Sequence, residues 1–109
     1  MMIHSWKIVT EETFMNQDRI FPLQQRDVLK LVKHARADEN IHKIIIFGSS
    51  VTAQCNPWSD LDVYFEQDSD SPHFSFADLE SPVDFWNNFT VDASLLAEIK
   101  EKGVIVYER

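Results

Sequence analysis

The clearest hydrophobic pattern in the chain runs from Pro22 to Ala37. Val28, Leu31, Val32 and Ala35 fall at i, i+3, i+4 and i+7, the stripe of an amphipathic helix. Lys30, Lys33, His34 and Arg36 fall mostly elsewhere around it, and Pro22 suits a first helical position. The pattern changes at His42–Phe47, an isoleucine-rich run that reads as a buried strand. Gly48 breaks the run, and Ser49 or Ser50 can cap a short helix after it. Leu61 to Phe65 then alternates, with Leu61, Val63 and Phe65 on one face and Asp62 and Tyr64 on the other. Val83 and Phe85 alternate again, opposite Asp84 and Trp86.

Towards the carboxyl end, Asp92 is a candidate cap for a helix running to Lys102, with Leu95, Leu96 and Ile99 as its apolar face. Lys100 and Lys102 suit the carboxyl end of that helix, and Gly103 is placed as its C′ residue. Val104–Tyr107 reads as a last strand. Between these elements, residues 67–81 read as a loop with a turn of helix near Phe76 to Leu79. Ahead of them, Ile3, Trp6 and Ile8 suggest a strand or an arm, and Glu11 to Gln17 a short helix capped by Thr10. The whole reads as an α/β (α+β) domain, a small mixed sheet with helices packed on it.

Length and composition narrow the chemistry. A chain of 109 residues has room for one core. Its two glycines exclude a dinucleotide fingerprint and a P-loop. A single cysteine excludes an intrachain disulfide and a multi-cysteine zinc site. No apolar run approaches the ~20 residues that span a bilayer, and the first residues lack the apolar core of a signal peptide. A cytoplasmic protein with no membrane attachment is the expectation.

The formal net charge is −8, and it is unevenly spread. None of the ten Lys and Arg residues lies between Ile44 and Ile99, a stretch that holds ten of the 18 acids. Gripping a nucleic-acid backbone takes clustered Lys and Arg, so a long nucleic acid is not an expected partner. The acidic balance leaves room for a cation-dependent site or a basic protein partner.

The candidate chemistry lies in that acidic half. Asp60 and Asp62 are two apart on an expected strand, so their carboxylates share a face. Side by side they repel, and a divalent cation is the simplest compensation. Magnesium takes such hard oxygen ligands and keeps positions open for substrate phosphates. Gly48 lets a phosphate approach the backbone, with the Ser49 hydroxyl and nearby N–H groups as donors. Gly48, Ser49 and Ser50 are therefore the candidate nucleotide-binding turn.

Gly48-Ser49, the ten residues Ser50–Ser59, then Asp60-Leu61-Asp62 resembles the signature of the polymerase-β-like nucleotidyltransferase superfamily. Val83-Asp84-Phe85 is similar to that family's third-carboxylate motif. Leu95 to Tyr107 looks like its closing helix and strand. The short chain resembles the minimal nucleotidyltransferase branch, which includes antitoxins paired with helical toxins. The likeness covers residues 22–109 as the nucleotidyltransferase domain, with residues 1–21 as an N-terminal arm.

The resemblance implies the polymerase-β-like fold and a magnesium-dependent transfer of a nucleoside monophosphate, AMP from ATP, to a hydroxyl. Asp60, Asp62 and Asp84 would be the catalytic carboxylates and the ligands of two magnesium ions, with Asp84 assisting deprotonation of the acceptor. Gly48 and Ser49 would hold the phosphates. Two alternatives are an antitoxin-like binding module and a small-molecule transferase of the antibiotic-modifying kind. Ser50, Val51, Gln54 and Cys55 stand where many members carry an Arg and a second Gly. That leaves the phosphates short of a cation, and the expectation is that a basic helical partner supplies one.

Overall fold

The computed structural model describes residues 5–52, 55–70, 76 and 78–109. Helix α1 covers Pro22–Ala37, with Pro22 in the first turn and no side-chain cap before it. Strand β1 (Ile41–Phe47) follows and leads into a single 3₁₀ turn, Gly48–Val51. Strand β2 is Leu61–Gln67, β3 is Val83–Asn87, helix α2 is Ala93–Lys102, and β4 is Val104–Glu108.

The four strands form one sheet in the order β3-β2-β1-β4. β1 is antiparallel to both β2 and β4, and β2 is parallel to β3. The isoleucine run of β1 is central, which is why both its faces are apolar. Ile44 and Ile46 join Val28, Leu31, Val32 and Ala35 of α1, with Val63 and Phe65 of β2, in the main core. Ile45 and Phe47 point the other way and pack with Tyr64, Trp86, Leu95, Leu96 and Ile99 under α2. One helix therefore covers each face, and the domain is a mixed α+β sheet sandwich. Among the described residues, no helix is long and apolar enough to cross a membrane.

The amino-terminal expectations need correction. Among the described residues, 5–10 form no strand, and Glu11–Gln17 form no helix beyond a 3₁₀ turn at Gln17–Arg19. Side chains hold this stretch in place of periodic backbone bonds. Gln17 donates to Thr10 Oγ1 and to Gln25 Oε1, and Gln25 accepts from Val9 N–H and donates to the carbonyls of Lys7 and Ile20. Phe14 and Ile20 enter the main core, so residues 5–21 are packed into the domain. Ile3, residues 71–75 and residue 77 lie outside the described residues; of the expected turn after β2, Leu79 N–H donates to the Phe76 carbonyl at 3.1 Å.

Two caps also differ from expectation. Asp92 caps α2 as expected, accepting from Leu95 N–H at 2.7 Å. The 3₁₀ turn, however, has Phe47 at its cap position and no capping side chain from Ser49 or Ser50. Gly103 ends α2 in an extended conformation, φ −72°, not the left-handed one of a C′ glycine. Its need for glycine is one of space. A Cβ there would collide with Ile45 Cγ2 and the Ile99 carbonyl.

Candidate active site

The sheet register brings two of the three predicted acids side by side. β2 and β3 are parallel, with Asp62 directly beside Asp84. On the other side Asp62 pairs with Phe47, the residue before Gly48. Asp62 and Asp84 share parity with Tyr64 and Trp86, so both lie on the α2 face of the sheet. Asp60 stands just ahead of β2. Asp60 and Asp84 are exposed and Asp62 is half-buried.

Electrostatics marks this cluster. Burial pushes the Asp62 carboxyl up to about 6, and repulsion from Asp84 and then Asp60 adds to the rise. No Lys or Arg occurs in the sequence from residue 44 to 99 to relieve it. A cluster of this kind favours either a proton or a cation. Its donors are all carboxylate oxygens, which suits a hard divalent ion such as magnesium. Among the described residues, no three His, Cys, Asp or Glu side chains converge as a ready-made cage, so a bound ion here would draw its remaining ligands from water or substrate.

Gly48 has φ +68°, in the left-handed region that favours glycine. The turn folds so closely onto β2 that a Cβ at 48 would overlap Asp62 Oδ2. Gly48 and Ser49 are both exposed, so the turn offers its backbone beside a carboxylate. Ser50 is different. It is fully buried, and its hydroxyl donates to the Asp60 carbonyl at 3.0 Å. Expected as part of the nucleotide-binding turn, Ser50 instead fixes the backbone that carries Asp60.

Three residues that shape the site carry no motif signal. Gln24 Nε2 donates to the Ser59 carbonyl at 3.1 Å, next to Asp60. Asp27, 1% exposed, accepts from Glu80 N–H at 3.0 Å and Ser81 N–H at 2.8 Å, just before β3. Leu61 N–H donates to the Pro82 carbonyl at 2.8 Å, which joins the starts of β2 and β3. Thus one turn of α1 positions both acid-bearing segments from the opposite face of the sheet. The only available signal was a polar Gln24 and Asp27 flanking the apolar stripe of α1. Lys102 is the third. It lines a groove with Gly48, although 54 positions separate them in the chain.

The aromatic residues divide. Trp86 packs on Phe47 with ring centroids 5.4 Å apart, and Phe76 on Phe85 at 4.9 Å. Trp58, two residues before Asp60, is 86% exposed. Cys55 is buried, its Sγ 3.7 Å from Gln24 Oε1, and burial pushes its thiol up, away from nucleophilic use. No family model matches this chain, and no curated protein matches it.

Proposed function

We propose that the chain is a magnesium-dependent nucleotidyltransferase that moves a nucleoside monophosphate, AMP from ATP, onto a hydroxyl acceptor. The observation that carries the reading is the parallel register of Asp62 and Asp84 beside the left-handed Gly48 turn. The Gly48-Ser49 signature, the Asp60-Leu61-Asp62 spacing and the mixed sheet support it, as does the likeness to the polymerase-β-like minimal nucleotidyltransferases.

In this reading Gly48 and Ser49 receive the phosphates, since the glycine leaves the backbone open to close approach. Asp60, Asp62 and Asp84 would hold the magnesium. Magnesium, when bound, supplies charge neutralisation at the attacking and leaving oxygens of an in-line displacement. The acceptor oxygen forms a bond to the α-phosphorus while the bond to pyrophosphate breaks. Asp84, exposed on β3, an end strand in the sheet order, takes the acceptor proton. Asp62, the more enclosed acid, serves binding, and Ser50, Gln24 and Asp27 keep the carboxylates in register.

Thermal unfolding tests the reading. Magnesium with ATP should raise the wild-type Tm by several degrees through linkage, and Asp60→Asn should abolish the shift. A wild-type Tm indifferent to millimolar magnesium and ATP would remove the reading.

A further inference from the structure

Between the Gly48–Val51 turn and α2 lies an open groove of about 580 Å³. Phe47, Val51 and Thr52 form one wall. Leu95, Glu98 and Lys102 form the other, at i, i+3 and i+7 along one stripe of the helix. Gly48 belongs to this lining and also abuts the Asp62 carboxylate. Gly48 therefore stands between the groove and the Asp62 carboxylate, and none of the three carboxylates is among the described lining residues.

Its chemistry is divided. Phe47, Val51 and Leu95 are apolar. Lys102 is the single cation among the described lining residues, is exposed, and makes no ion pair among the described residues. A ligand that fits has an anionic end and an uncharged body. Glu98 in the same wall disfavours a ligand that is anionic along its length, such as a nucleic-acid strand.

A triphosphate brings about four negative charges to a site with three carboxylates, and two magnesium ions offset about four. A further cation is needed, and the long basic-free stretch of sequence cannot give one. The fold does, by returning the end of α2 to β1, where Val104 pairs with Ile46.

We infer that this groove holds the nucleoside polyphosphate, with Lys102 neutralising its phosphates and Phe47, Val51 and Leu95 covering its uncharged body. The inference rests on the nucleotidyl-transfer reading and names the substrate's seat within it. It makes the phosphate-binding cation part of the chain itself, where the sequence alone pointed to a partner.

Calorimetry with magnesium–ATP and with magnesium–tripolyphosphate tests it on the full chain. Lys102→Gln should weaken both ligands about tenfold, the scale of one charge-assisted contact, and Lys102→Arg should keep most of the affinity. The Tm without ligand should stay within about 2 °C of wild type, as for an exposed side chain. If Lys102→Gln binds like wild type while Asp62→Asn does not bind, the inference falls and the metal–nucleotide reading stands. A lowered Tm with unchanged affinity would assign Lys102 to the helix end alone and overturn the inference. If the wild type binds neither ligand, the inference and the nucleotidyl-transfer reading fall together.

Discussion

Gly48 occupies the position where any other residue would place its Cβ on Asp62 Oδ2. Two independent demands meet at this residue, a φ of +68° and the absence of a side chain. Gly48→Ala would incur about 1–2 kcal/mol for the left-handed backbone alone and would also displace the Asp62 carboxylate. Denaturant unfolding should show a loss of at least that size. Magnesium–ATP binding by calorimetry should be lost even under conditions where the variant is fully folded.

The raised pKa of Asp62, about 6, sets a pH dependence. The folded-state value lies above the ordinary 3.8, so between these two values the folded protein holds a proton that the unfolded chain has released. This residue's contribution to stability therefore increases as pH falls from about 6 towards 4, and its ionised form weakens the fold above that window. Asp62→Asn should be more stable than wild type at pH 7.5, and the difference should shrink as pH falls through 6 to 4. Tm measured across that range checks it, with an unchanged difference as the contrary result. Magnesium competes with the proton for the same carboxylate, so its stabilising effect should fade below pH 6.

Asp27 should behave as a positioning residue of α1. Both its carboxylate oxygens accept backbone N–H bonds, from Glu80 and Ser81. Asparagine replaces one of these oxygens by a donor that would face an N–H. Asp27→Asn should therefore cost about 1–3 kcal/mol by leaving a backbone donor unsatisfied. The amide signals of Glu80 and Ser81 should shift, and those of β3 with them. A variant with wild-type stability and an unmoved β3 would contradict this role.

Asp84 should separate binding from chemistry. It is exposed, it stands beside Asp62 in register, and among the described residues no other strand of the sheet lies beyond β3. Asp84→Asn should keep most magnesium–ATP affinity and lose most transfer. Equal loss of both would reassign it to nucleotide binding.

Much of this architecture could be read before the fold was known, and the failures have physical causes. The α1 stripe gave its bounds because four buried residues follow the helical period. The alternation at Leu61–Phe65 and Val83–Trp86 placed Asp62 and Asp84 on the proper face, since a pleat leaves no other choice. Residues 9–20 resisted because glutamine-to-backbone bonds hold them, and such bonds have no period. Ser50 was misplaced because a hydroxyl next to a glycine turn looks the same whether it faces ligand or core. Lys102 read as a helix-end companion. Only the pairing of β4 with β1 shows that this end of α2 returns to the Gly48 turn.

The central claim is tested most directly by ATP labelled either at the α- or at the γ-phosphate, incubated with the full chain, magnesium and a mixture of hydroxyl acceptors that includes whole-cell extract. Nucleotidyl transfer predicts that the α-label becomes attached to an acceptor while the γ-label leaves as pyrophosphate, that chelation of magnesium stops both, and that Asp84→Asn does the same. Attachment of the γ-label, or α-label transfer undiminished in Asp84→Asn, would contradict the account.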